Sequence, residues 1–163
     1  MTAKEYLSQI RLLNLKIDQK MEEKADLMSR AMGNHSPTLT KDKVQSSISG
    51  DRMSNTIDRY VDLEKEIDDL IDRYVDKRDI IINQIHQLED PRYVELLQLK
   101  YVGRRGGDGR MHYMRLEEIA CIMRKSNGSP YTYKHINKLH SMALQEFSTL
   151  HGINGMKADG TGA

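Results

Sequence analysis

The side chains best suited to chemistry stand close together near the C-terminal end: Tyr133, Lys134, Asn137 and Lys138, with Ser141 one turn further on. Their chemistry is recognition rather than catalysis. A side-chain amide such as Asn137 pairs twice with the N6/N7 edge of adenine, and a lysine ammonium donates to O6 and N7 of guanine, both in the major groove of duplex DNA. A second set is cationic. Arg104, Arg105, Arg110, Arg124 and Lys125 suit the phosphate oxygens that dominate affinity for DNA, and the Ser141 hydroxyl belongs with them. The expected partner is therefore double-stranded DNA, with Tyr133, Lys134, Asn137 and Lys138 facing bases and the second set facing phosphates.

Such side chains must be carried on one face of a helix. Ile136, Leu139, Ala143 and Phe147 recur at intervals of three, four and four, which makes one apolar helical stripe and turns the polar set away from it. Leu116 to Met123 reads as a shorter helix, Arg124 to Pro130 as a polar turn, and the second helix is cued from about Thr132. The pair reads as a helix-turn-helix. Ahead of it, Asp90-Pro91 offers an N-cap and a favoured first helical residue. Residues 92–102 supply Tyr93, Val94, Leu97 and Tyr101 for packing. A three-helix head is thus expected over 90–150. Gly103 to Arg110 reads as a flexible cationic loop that could grip phosphate or enter the minor groove.

Leu116-Glu117-Glu118-Ile119-Ala120, followed by Ile136, Leu139, Ala143 and Leu144, resembles the fourth conserved region of bacterial sigma factors. The chain is similar, more closely, to a family of phage-encoded proteins related to the ArpU-type transcriptional regulators. That similarity rests on Met1 to Leu7, Val44 to Ser47, Leu88 to Pro91 and Tyr133 to His140, and spans most of residues 1 to 150. It departs from the family pattern in the longer turn before Thr132 and in the Gly/Arg-rich insertion before Leu116. The resemblance implies DNA binding in phage or prophage transcription control inside a bacterial host, with host RNA polymerase as a possible further partner.

Other chemistries fit the residues poorly. His112, Cys121, His135 and His140 match no zinc-finger spacing, and His135 and His140 do not stack on one helix face. Cys121, in an apolar helical run, reads as a small core residue rather than a nucleophile. Glu117-Glu118 and Asp68-Asp69 diverge around a helix, unlike paired glycosidase carboxylates. The Gly/Arg stretch lacks the Lys-Ser/Thr ending of a phosphate-binding loop. No catalytic residue, metal or cofactor is expected. A lone cysteine and the lack of an apolar span fit a cytoplasmic protein without membrane association.

The rest of the chain must position the head. Apolar residues make up 38% of the sequence, with one Phe and no Trp, lean for a globule and normal for long amphipathic helices. Thr2 and Glu5 form a capping-box pattern at the start of a helix running to Met32, whose seam reads Leu7, Ile10, Asn14, Ile17, Met21, Lys24 and Met28. Residues 33–50 read as a Ser/Thr/Lys-rich loop. Met53, Ile57, Tyr60, Glu64, Ile67, Ile71, Tyr74, Arg78, Ile81, Ile85 and Leu88 then form a heptad seam. Its expected partner is either the first helix, antiparallel, or a second copy of the chain, giving self-association through 53–88. Charge is uneven: residues 51–90 carry a net of −6 and residues 91–150 a net of +5. An acidic stalk beside a basic head is the balance expected of DNA binding at one end and protein contact at the other.

The expected fold is all-α: a long antiparallel helical hairpin or coiled coil over 1–89, a small helix-turn-helix domain over 90–150, and a disordered tail over 151–163. Two other functions fit the same elements. One is a coiled-coil interaction protein that adapts or inhibits a host factor without touching DNA. The other is a DNA-packaging subunit.

Overall fold

The computed structural model describes residues 1–33 and 48–153. It is mainly α-helical. The elements in order are α1 (Ala3–Gly33), α2 (Ile48–Ile85), α3 (Pro91–Leu97), a π-helical turn (Gln98–Val102), β1 (Arg104–Arg105), β2 (Met111–His112), α4 (Leu116–Ile122) and α5 (Tyr133–Leu150). Helix α1 opens on the expected reciprocal cap: Thr2 N donates to Glu5 Oε2 at 2.7 Å, and Glu5 N donates to Thr2 Oγ1 at 3.2 Å. Asp90 caps α3 as expected, its carboxylate accepting from Arg92 N at 2.9 Å. Most of the 33–50 loop and of the C-terminal tail lies outside the described residues.

The chain divides into two compact units, one made of Met1–Leu12 with Tyr74–Ala163 and the other of Leu13–Arg73. This differs from the expected division at residues 89 and 90. The reason is the shortness of α3 and α4, whose apolar sides are too small to enclose a core alone. The missing walls come from both long helices. Ala3, Leu7 and Ile10 of α1 and Ile81 and Ile85 of α2 share one cluster with Tyr93, Leu96, Tyr101, Ile119, Ile136, Leu139, Ala143 and Phe147. Tyr6 OH donates to Gln84 Oε1 at 2.9 Å in the same unit.

In the Leu13–Arg73 unit, Lys20 pairs with Glu66, Lys24 with Glu64 and Glu23 with Arg59, each at 2.9 Å. Low numbers on α1 meet high numbers on α2, so the two segments run antiparallel. Ile17, Leu63 and Ile67 are buried here. The seam therefore differs from the one read from sequence. Leu63 and the half-buried Leu70 take the inward positions assigned to Glu64 and Ile71, while Ile57, Ile71, Met21 and Met28 are exposed. Glu64 sits one residue off the stripe because its carboxylate is satisfied at the edge by Lys24, where water still reaches both.

One segment read as a flexible loop and the start of the expected tail both carry defined structure. Arg104–Arg105 and Met111–His112 pair antiparallel, with Arg104 opposite His112 and Arg105 opposite Met111. The hairpin turns through Gly106-Gly107-Asp108-Gly109, closed by Gly106 N to Arg110 O at 2.8 Å and Gly109 N to Gly106 O at 3.0 Å. At its base Gly103 has φ +74°, and a Cβ there would stand 2.7 Å from the His112 carbonyl oxygen, so only glycine fits. The start of the expected tail is also held. His151 Nε2 donates to Gln84 O at 3.0 Å, its ring lies 4.6 Å from Phe147, and Ser148 Oγ donates to Ile153 O at 2.6 Å.

Candidate nucleic-acid interface

Helix α5 is two-faced, as its spacing implies. Ile136, Leu139, Ala143 and Phe147 are buried, and Tyr133, Lys134, Asn137, Lys138 and Ser141 are exposed. Its N-cap is Thr132, whose Oγ1 accepts from His135 N at 3.3 Å. Lys134, Lys138, Ser141 and Gln145 fall at intervals of four, three and four, a continuous polar row more than two turns long. Asn137 flanks that row on one side. Tyr133 stands at the first turn with 49% of its surface open.

The expected turn between α4 and α5 is a small closed loop. Lys125 N donates to Ser129 O at 2.9 Å and Gly128 N to Lys125 O at 2.8 Å. Asn127 Oδ1 accepts from both Ser129 N and Ser129 Oγ, at 3.0 and 2.7 Å. Arg124 Nη1 donates to Cys121 O at 2.6 Å, which caps the C-terminal end of α4. That bond uses one of a guanidinium's five N–H donors, and Arg124 is otherwise exposed. Lys125 is half-buried, its ammonium 5.8 Å from the Tyr131 ring centre.

Some expected site residues are arranged otherwise than the sequence implied. Arg104, Arg105 and Arg110 are all exposed. Neighbours on a strand point to opposite faces, however, so Arg104 and Arg105 leave the hairpin on different sides. Arg104 instead lines a groove of about 240 Å³ together with Arg78 and Glu95. At the hairpin tip Asp108 accepts from His112 Nε2 and from Arg110 N, and these bonds hold its carboxyl below the usual range. A carboxylate thus sits among the arginines. Ser141 Oγ donates to Asn137 O at 3.1 Å, so in this rotamer it offers only lone pairs outward, the wrong polarity for a phosphate. Cys121 is exposed, not a core residue, because Ile119, Ala120 and Met123 take the inward positions around it.

Sequence reasoning missed one buried polar contact behind α5. Tyr101 OH and His140 Nε2 lie 2.9 Å apart, and their rings stack at 5.9 Å and 21°. Burial pushes the Tyr101 phenol up to about 12. Burial, and then the charges of Lys100 and Lys4, push the His140 imidazole down to about 4. Both are neutral near pH 7, so one hydrogen bond ties α5 to the π-helical turn. A tyrosine and a histidine on apolar stripes 39 residues apart gave only a faint signal of this pairing.

Among the described residues no group of three His, Cys, Asp or Glu is placed to hold a metal ion, and no helix is long and apolar enough to cross a membrane. No family model, curated protein or solved structure matches this chain.

Proposed function

We propose that the protein binds duplex DNA through the exposed face of α5, with α4, the 124–130 turn and α5 acting as a helix-turn-helix. The single observation that carries this reading is the two-faced α5. One side is wholly buried in the core and the other offers Lys134, Asn137 and Lys138 to solvent without an acidic residue among them. A rigid helix presenting an amide and two ammonium groups matches what a major groove offers. The ArpU-type and sigma-region-four resemblance points the same way, toward transcription control in a phage or prophage and a cytoplasmic site of action. Arg110, Arg124 and Lys125 remain the best-placed phosphate contacts of the expected set.

The test is selection of genome fragments by the purified protein, followed by affinity measurements on the enriched site. Lys134→Ala and Asn137→Ala should each weaken binding to that site by roughly 1–3 kcal/mol, the usual loss for a base contact. Unchanged affinity in both variants would remove α5 as the reading element.

A second reading is favoured by one feature of α2. Ile57, Val61 and Ile71 are exposed on the α2 part of the Leu13–Arg73 unit, while Leu63 and Ile67 there are buried. That face suits protein contact, whether a second copy in a coiled-coil assembly, RNA polymerase, or a host factor bound by an adaptor without DNA. Fragment selection that enriches nothing, even at low salt, would favour this reading over the first.

A further inference from the structure

Helix α1 carries two exposed cations, Lys4 and Arg11, on the segment that shares a core with α5. Ala3, Leu7 and Ile10 anchor the first turns of α1 in the same core as Ile136, Ala143 and Phe147, and the Tyr6 ring lies 6.2 Å from that of Phe147. Lys4 and Arg11, seven positions apart, therefore share one exposed side of this anchored segment. Arg11 Cζ stands 5.8 Å from the centre of the Tyr113 ring. The next residue, Met114, donates its N–H to Leu99 O at 3.2 Å, and Lys100 follows directly in chain. The Lys100 ammonium lies 5.9 Å from the Tyr101 ring, whose hydroxyl meets His140 of α5. On α5, His140 is the i+3 neighbour of Asn137 and adjoins Ser141. The charges of Lys100 and Lys4 both bear on the His140 imidazole, one turn from Asn137.

We propose that Lys4, Arg11 and Lys100 form a phosphate-binding flank beside α5, so that the N-terminal helix grips the backbone of the DNA that α5 reads. The proposal rests on the DNA reading of α5 and adds residues from a part of the sequence far from it. Lys4 and Arg11 act as like charges on Lys100, and Glu117 is the acidic group that offsets them there. Burial first, and then the charges of Lys4 and Arg11, hold the Lys100 ammonium below its ordinary value, with Glu117 opposing them. An anion placed among them relieves that repulsion, and duplex DNA supplies a regular row of such anions at the edge of the groove that α5 would occupy.

The experiment measures affinity for the selected site, and for unrelated duplex, across a salt series. It uses the full chain, Lys4→Gln, Arg11→Gln, their double variant, and Arg30→Gln as a control on the same helix in the other unit. Each of the first two should reduce the slope of log affinity against log salt by about one, the double by about two, equally on both duplexes. Arg30→Gln should leave the slope unchanged, and Arg11→Lys should restore it. Thermal melts confirm that the fold is kept, and Lys100→Gln gives an independent third arm. If the wild type binds its site and Lys134→Ala weakens it while Lys4→Gln and Arg11→Gln keep the full slope, the flank is wrong and the α5 reading stands. An equal effect of Arg30→Gln means diffuse charge and also overturns the flank. Failure of the wild type to bind any duplex overturns both.

Discussion

The unit that holds α3, α4 and α5 encloses Phe147, Ile136, Ile119, Leu96, Leu97, Ile81, Ile85, Leu7 and Ile10 almost completely. The Leu13–Arg73 unit, among its described residues, buries only Ile17, Leu63 and Ile67 and leaves Leu15, Met21, Met28, Ile57, Val61 and Ile71 open. Its cross-helix ties are ion pairs at the rim, which are weak and screened by salt. One region is thus specified by dense apolar packing and the other by helix propensity and charge register. The difference teaches where each proposed function can live. A reading surface needs a rigid support, while an under-packed helix pair with open apolar side chains suits association.

The largest break in this comparison should come from Phe147→Ala. It empties the centre of the packed unit and should cost about 3–5 kcal/mol, seen as a large drop in melting temperature. A drop no larger than that from a surface substitution would mean that the core lies elsewhere. Acid should act next. The imidazole of His140 has its folded value depressed from the ordinary 6.5 to about 4, so between those values the unfolded chain binds the extra proton. The imidazole's contribution to stability is complete above pH 6.5 and is lost as pH drops toward 4, by on the order of 3 kcal/mol. Denaturant melts at pH 7 and 4.5 measure this, and His140→Gln should flatten the window. Asp90, held below its ordinary value by hydrogen bonds from Arg92, contributes a separate loss only below about pH 4.

In the long-helix unit the effects should be smaller. Ile67→Ala removes one of three buried apolar residues and should cost roughly 2 kcal/mol, with hydrogen exchange accelerated over 54–73 and slow exchange kept in α5. Equal acceleration in α5 would show that the two regions unfold as one. The smallest effect on stability is expected for Ile71→Asp, where the side chain is 39% exposed. A monomer should hardly notice it. A fall in oligomeric mass measured by light scattering would instead show that the open face of α2 is covered in solution.

Helix positions were the most legible part of the sequence, because a stripe such as Ile136, Leu139, Ala143 and Phe147 allows one periodicity only. The Thr2/Glu5 box and the Asp90-Pro91 start were legible for the same local reason. The α2 seam was harder. Ile57 and Ile71 continue the heptad as well as Leu63 and Leu70 do, and only the facing helix decides which set turns inward. The 104–112 hairpin was not visible, since its strands are two residues long and hold no β-branched side chain. Its cue was the Gly-Gly-Asp-Gly turn. At the candidate site, exposure along α5 could be read in advance. The opposed directions of Arg104 and Arg105, the internal bond of Ser141 and the Lys4–Arg11–Lys100 grouping could not, since each depends on partners distant in the chain.

The packed core draws Ile10 and Phe147 together across well over a hundred residues of sequence. During synthesis the first turns of α1 must therefore emerge and wait. At roughly 5–20 residues per second, on the order of ten seconds pass before Phe147 is made, and ribosomal passage adds more. Through that interval Leu7 and Ile10 have no final resting place, although α1 and α2 can already pair along Lys20, Glu23, Lys24, Glu64 and Glu66. The hairpin of long helices would thus serve as a tether during translation, keeping the first-made wall of the core near the point where the last-made helix arrives.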